Sequence, residues 1–269
     1  MSNQGKDTIP RVIHYIWFGR KAKSKEVKKC IASWRRYCPG YKIVEWNESN
    51  YDIRKNQYMY EAYRAKKWAF ASDYVRYDVI YQYGGIYLDT DVELVSSMEL
   101  VLQDMMFMGF LENRRVNSGL GFGSVSGNPI IKEILQYYEG RSFYKTNGQM
   151  DLRNCNHNET KVLVKHGLLR NGEEQWLDYV HVYPQEYFNP KGEVPSEKTI
   201  SVHHFSGSWT SIAHRTRRKK NLFLQKNLRR TSALYVIHIT DNLWDFFEKA
   251  EQLYYKLCRR NKERKTWQV

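Results

Sequence analysis

Asp89 and Asp91 stand two residues apart at the end of a short apolar run, Ile86-Tyr87-Leu88, which itself follows Gly84-Gly85. On an extended backbone, residues two apart share a face, so both carboxylates can address one point. Hard divalent cations such as magnesium and manganese take carboxylate oxygens, and their natural companion is a phosphate. A cation that bridges a diphosphate makes it a good leaving group, because it neutralises charge as the charge develops. The spacing alone is common in proteins, and its plainer reading is a solvated turn. Its position carries more weight, because open α/β sheets gather ligands outside the carboxyl ends of their strands.

Three further groups accompany this pair. His203 and His204 follow an apolar run and precede Ser206-Gly207-Ser208-Trp209. Imidazole suits manganese better than magnesium, and adjacent strand residues face opposite ways, so one of the two histidines at most joins a metal. The small turn after them offers backbone N–H groups to phosphate oxygens. Asp73 and Arg76 stand three apart on a helical pattern, where they form either an intrahelical ion pair or a site for sugar hydroxyls and a leaving phosphate. Trp17 closes the first apolar run and either stacks on a base or fills core.

The elements that must position these groups follow from hydrophobic period. Ile9 to Phe18 reads as a buried strand, Lys21 to Cys38 as a helix stopped by Pro39-Gly40, and Tyr41 to Trp46 as a second strand. Strand, helix, strand opens an α/β nucleotide-binding half. Gln57 to Tyr83 reads as one helix or two in series, with Ser72-Asp73 as the start of the second, since both residues favour N-caps. Met105 to Leu111 is a strand candidate. Asn117 to Ser124 is glycine-rich, which lets backbone approach a ligand or another strand. Asn128-Pro129 opens a helix to about Glu139, and Thr160 to His166 is a short helix. Arg141 to Asn158 is polar and irregular. Tyr179 to Tyr183 and Ile200 to Phe205 read as strands, with a loop from Phe188 to Lys198.

Composition narrows the class. The 269 residues carry a formal net charge of +14, so partners are expected to be anionic. The four cysteines are scattered, with no close pair, which fits a reducing cytosol better than a disulfide scaffold. No signal peptide opens the chain, and no window is apolar enough to span a bilayer. From residue 215 the chain becomes basic. Leu243, Phe246, Phe247, Leu253, Tyr254 and Leu257 form an apolar stripe with a lysine and arginine margin. This is the pattern of a helix lying on an anionic membrane, or of a terminal helix packed on the domain. No nucleic-acid-binding motif is present, and nucleic acid is not an expected partner.

The stretch ASDYVRYDVIYQYGGIYLDTDVEL closely resembles the DXD-containing sugar-binding region of the Och1-like and bacterial capsular-polysaccharide glycosyltransferases. The opening IPRVIHYIWFG and the segment SVHHFSGSW resemble the start and the C-terminal motif of the same family. The catalytic domain of the clostridial glucosylating toxins is a more distant relative. The resemblance implies a GT-A type α/β fold, a Rossmann-like central mixed sheet flanked by helices, over residues 1–214. A helical basic extension over 215–269 would follow it. It also implies a UDP-sugar donor, Mn2+ (or Mg2+) and retention of configuration. By position, Trp17 would stack near the uracil and Tyr87 beside the nucleotide. Asp73 and Arg76 would hold the donor sugar, with Asn117 lining its pocket. Asp89 would contact ribose and sugar or reach the metal through water. Asp91 would ligate the metal directly, with His204 or His203 as the second ligand type. Ser208 and Trp209 would contact the diphosphate.

The family's short bacterial members act on lipid-linked acceptors, so the expected setting is the cytoplasmic face of the cell membrane, with peripheral attachment to its anionic surface. The stretch Arg141 to Asn158 is placed to shape the acceptor site. Two other classes share some of these features. A metal-dependent phosphoryl-transfer enzyme or nuclease would share the acidic strand end but needs a further carboxylate. A binding module for anionic lipid or nucleic acid would use only the basic tail.

Overall fold

The computed structural model describes residues 8–112, 114–153, 155–190 and 194–205. The expected basic region from 215 onward, with Ser208 and Trp209 before it, lies outside the described residues.

The first half is built as the hydrophobic pattern predicts, with shorter ends. β1 (Val12–Ile16) leads to α1 (Lys25–Tyr37), which returns to β2 (Lys42–Trp46). Ser24 caps α1 by accepting from the Val27 amide, and the face carrying Cys30, Ile31, Ser33 and Trp34 is buried. α2 (Gln57–Arg64) is capped by Asn56, and α3 (Trp68–Tyr83) follows. The break between them falls earlier than Ser72-Asp73. Lys66 adopts a left-handed φ of 57°, which ends α2. Ser72 and Asp73 therefore lie inside α3, and the Ser72 hydroxyl donates back to the Ala69 carbonyl instead of capping a helix. α3 is buried on nearly every side, as a helix enclosed by other layers must be.

Gly84 and Gly85 turn the chain from α3 into β3 (Gly85–Tyr87) at φ of 66° and 102°. A Cβ on Gly85 would stand 2.7 Å from the Val12 carbonyl oxygen and 2.9 Å from His14 Nε2, so only glycine lets β3 lie beside β1 here.

The remaining elements are β4 (Val92–Leu94), β5 (Met106–Gly109), β6 (Phe122–Ser124), α4 (Pro129–Gln136), α5 (Asn156–Lys165), β7 (Gln175–Leu177), β8 (Val180–Tyr183), α6 (Gln185–Phe188) and β9 (Ser201–His203). Seven strands form one mixed sheet in the order β2-β1-β3-β6-β5-β8-β7, with β1 parallel to both β2 and β3. β3–β6, β6–β5 and β8–β7 are antiparallel, and β5–β8 is parallel. β4 and β9 form a separate antiparallel ribbon.

Apolar cores cover both faces of the sheet. One packs α2, α3, α4 and α5 through residues such as Met59, Val75, Ile80, Phe122 and Ile134. The other packs α1 and β4 through Ile13, Trp34, Leu88 and Phe107. Trp34 is fully buried and also donates its indole N–H to the Val92 carbonyl, 2.8 Å away, which moors β4 to α1. This mixed sheet flanked by helices is the GT-A-like α/β architecture expected above. Among the described residues, no helix is long and apolar enough to cross a membrane.

Candidate active site

β1 is where the strand order switches: the chain passes to β2 on one side of it and returns to β3 on the other. Parallel strands around such a switch open a crevice beyond their carboxyl ends. Trp17 follows β1 and Asp89 follows β3 by two residues, so both leave the sheet at the same edge.

The β4–β9 ribbon adds the distant part. Val92 pairs with His203, and the His204 amide donates to the Asp91 carbonyl at 2.9 Å. Strand alternation then separates the two histidines. His203 turns inward, 6% exposed, with Nε2 3.2 Å from Asp91 Oδ1 and 4.0 Å from Asp89 Oδ2. His204 turns toward Glu93, with Nε2 2.8 Å from Oε2, and Lys29 joins the same carboxylate at 2.9 Å. Of the pair, which the sequence leaves open, His203 is the one placed beside the aspartates, and His204 is placed against Glu93.

Asp89, Asp91 and His203 each offer one ligand atom, all within 4.8 Å of one another. Two carboxylate oxygens and one imidazole nitrogen form a donor set that manganese accepts. His203 Nδ1 is buried with no hydrogen-bond partner among the described residues.

A second group adjoins this one through Asp89. Arg76 is buried, with Nη2 3.1 Å from Asp73 Oδ1 and 3.3 Å from Asp89 Oδ1. Its Nε donates to the Ser72 carbonyl and its Nη1 to Ser118 Oγ at 3.2 Å. The guanidinium lies 4.9 Å from the Tyr87 ring centroid, and the Tyr87 hydroxyl donates to Asp89 Oδ1 at 2.7 Å. Tyr87 is thus a buried support for Asp89. Burial pushes the Asp73 carboxyl up to about 7; Arg76 pulls it down, and the nearby carboxylates of Glu159 and Asp89 add to the rise.

Asn117 is buried and accepts from the Gly119 amide at 2.8 Å, which caps the short 3-10 turn Ser118–Leu120. Its part in the site is to shape this loop. Gly119 lies so close to Asp89 that a Cβ there would stand 2.5 Å from Oδ2. Trp17 is partly exposed and donates its indole N–H to the Lys21 carbonyl. The Lys23 ammonium lies 5.6 Å from its ring centroid and pairs with Glu45 at 2.7 Å.

Two residues escaped the motifs. Glu159, with 0% exposure, accepts from Ser118 N at 3.0 Å and from Ser118 Oγ at 2.7 Å. The signal that could have found it is its helical spacing to Val162 and Leu163, which puts a carboxylate on a buried face. Cys155 lies beside both Asp73 and Glu159, where burial raises its thiol pKa well above the usual range. Between Arg141 and Cys155 the chain is held by Asp151, which pairs with Arg141 and Arg153.

A family model described as a glycosyltransferase sugar-binding region containing a DXD motif matches residues 24–108. That span contains Asp73, Arg76, Asp89 and Asp91 and stops before His203. The chain is 25% identical over 147 residues to inositol phosphoceramide mannosyltransferase 3 of Schizosaccharomyces pombe (strain 972 / ATCC 24843). The match covers 50% of the chain and 38% of that relative, so it spans well under half the relative's length. Among solved structures, PaToxG glycosyltransferase aligns at 20% identity and a TM-score of 0.47, over 60% of this chain and 71% of that one. A glycosyltransferase involved in glycosylation of the major capsid of PBCV-1 aligns at 13% identity and a TM-score of 0.38, over 77% and 98%.

Proposed function

We propose that this chain is a retaining, divalent-metal-dependent glycosyltransferase. It would move a hexose, galactose or glucose, from a UDP-sugar to a lipid-linked saccharide acceptor in capsular or exopolysaccharide synthesis. One observation carries this reading. Two subsites meet at a single sheet edge, Asp89-Asp91-His203 on one side and Asp73-Arg76 on the other, with Asp89 common to both. A nucleotide sugar needs such a pair, one for its diphosphate and one for its hexose. The family match over 24–108 supports sugar binding at this edge.

Asp89, Asp91 and His203 would hold manganese or magnesium, which when bound neutralises charge on the departing diphosphate. Arg76 has its donors engaged within the protein, so its work is to hold the carboxylates of Asp73 and Asp89 in place for hexose hydroxyls. Trp17 offers the open part of its half-buried ring to the base. The step we assign is same-face displacement. The bond from C1 to the acceptor oxygen forms as the bond from C1 to the diphosphate oxygen breaks. The leaving phosphate takes the acceptor proton, and the protein supplies position and charge. The net charge of +14 supports an anionic membrane surface, at its cytoplasmic face, as the place where the acceptor is met.

The test is a screen of the purified protein with manganese against a panel of nucleotide sugars, reading released nucleotide. Turnover that stops on chelation and in Asp91→Asn is the expected result. No release from any nucleotide sugar, or cleavage of DNA or RNA in its place, overturns the reading. Liposome flotation with and without anionic lipid tests the membrane assignment, which falls if the full chain floats with neither vesicle or equally with both.

A further inference from the structure

We propose that Glu159, in the first turns of α5, is a positioning residue for the hexose half of the site, acting through Ser118 on Arg76. The inference rests on the functional reading above and deepens it.

Glu159 has no exposed surface, and no described residue gives it an ion pair. A buried carboxylate is costly unless hydrogen bonds satisfy it; both of its oxygens accept from Ser118, and the Cys155 thiol is a further hydrogen-bond partner. Oε2 accepts from Ser118 N and Oε1 from Ser118 Oγ. Arginine can only donate. Arg76 Nη1 donates to that same hydroxyl at 3.2 Å. The Ser118 hydroxyl must therefore turn a lone pair toward Arg76 and its hydrogen toward Glu159. Glu159 in this way sets the direction of that hydroxyl.

The consequence reaches the sugar carboxylates. With Nη1 seated on Ser118 and Nε on the Ser72 carbonyl, Nη2 donates to Ser72 Oγ at 3.2 Å and stands between Asp73 and Asp89. A guanidinium is planar and rigid, so fixing two of its nitrogens fixes the third. The chain of contacts runs from Glu159 to Ser118, to Arg76, and then to the two carboxylates assigned to the hexose. The diphosphate half, Asp91 and His203, lies on the other side of Asp89.

Glu159→Gln keeps the shape and reverses one contact. An amide NH2 cannot face the Ser118 N–H, so it must face Ser118 Oγ. The hydroxyl hydrogen then loses its carboxylate acceptor, and the anchored direction of the lone pair facing Arg76 is lost with it.

The experiment measures binding of UDP alone, and of UDP-glucose and UDP-galactose, by calorimetry with manganese present. The proteins are the wild type, Glu159→Gln, Ser118→Ala and the double variant. In both single variants, affinity for the better UDP-hexose should fall about tenfold, the scale of a hydrogen bond to a charged group. Affinity for UDP should fall by less than affinity for the UDP-hexose, because of the two carboxylates at the end of the relay only Asp89 also serves the diphosphate half. The double variant should lose no more than the worse single variant, because both changes cut one relay. A general loss of structure would lower UDP and UDP-hexose affinity equally. That result in Ser118→Ala, or unchanged UDP-hexose affinity, or additive losses, overturns the proposal. A wild-type protein that binds neither UDP nor a UDP-hexose brings down the functional reading and this role with it, and is told apart by failing before any variant is compared.

Discussion

Arg76 and His203 meet through one carboxylate. Asp89 Oδ1 lies 3.3 Å from the guanidinium, and Asp89 Oδ2 lies 4.0 Å from His203 Nε2. The two subsites are therefore not independent pockets, and a change at Asp89 is felt on both sides.

Asp89→Asn should accordingly weaken manganese binding and UDP-hexose binding together, whereas Asp91→Asn should weaken manganese first. Removing the charge from a buried or half-buried pair typically costs about 3–5 kcal/mol. Turnover is expected to fall by at least about a hundredfold in each. Manganese titration by electron paramagnetic resonance, beside donor binding, separates the two patterns. Identical profiles for the two variants would refute the shared-carboxylate account.

The histidines offer a cleaner contrast. His203→Ala should lower manganese affinity by more than the 10- to 100-fold, roughly, that outer-shell changes produce. His204→Ala, whose ring faces Glu93 at 2.8 Å, should leave manganese affinity within about threefold. The reverse order of effects would show that the ribbon presents the other imidazole to the site.

Gly119→Ala tests the close approach of the loop to Asp89. The added Cβ would meet Asp89 Oδ2 at 2.5 Å, and one of the two must move. Overpacking of this kind costs about 1–3 kcal/mol, and turnover should drop while far-ultraviolet circular dichroism stays native. Full turnover in Gly119→Ala would mean that Asp89 can shift freely, against its contacts with Arg76 and Tyr87.

Acid should destabilise the fold through His14. Its Nδ1 accepts from the Trp46 indole at 3.0 Å, so its Nε2, 3.1 Å from the Gly84 carbonyl, carries the proton of a neutral ring. Burial holds its pKa down at about 4, with Lys42 helping and the Gly84 contact opposing. A depressed base binds its proton more readily when unfolded. The stability it confers is complete above about pH 6.5 and is lost as pH falls from there to about 4, by about 3 kcal/mol. Denaturant melts across that window should show the loss, and His14→Gln should flatten it. An equally steep loss in the variant would assign the acid sensitivity elsewhere.

Much of this site could be read from residue types. Asp73, Arg76, Asp89 and Asp91 lie within one stretch whose period changes from helix to strand, and the structure brings Asp73 and Asp89 within salt-bridge distance of Arg76. The first three strands were also legible, because they are apolar runs bounded by glycine, proline and a capping serine. What was not legible depends on contacts distant in sequence. β4 has three residues and exists only by pairing, with a strand more than a hundred positions away. The choice between His203 and His204 turns on which one pairs opposite Val92, and no local pattern decides that. The α2–α3 break was misplaced because Ser72-Asp73 has the chemistry of a cap, while Lys66, with no such signature, takes the left-handed turn. Glu159 was missed because acidic residues early in a helix are ordinarily solvated.

The pairing of β4 with β9 also has a temporal meaning. During synthesis, a growing chain that has emerged as far as α6 already carries Asp89 and Asp91, but it lacks the imidazole opposite them. Contacts so distant along the polymer form late, because the intervening segment must order first. The group Asp89-Asp91-His203 is thus completed only when the last described strand has docked. A chain ending before that point would hold the two acids without the imidazole that the structure sets beside them.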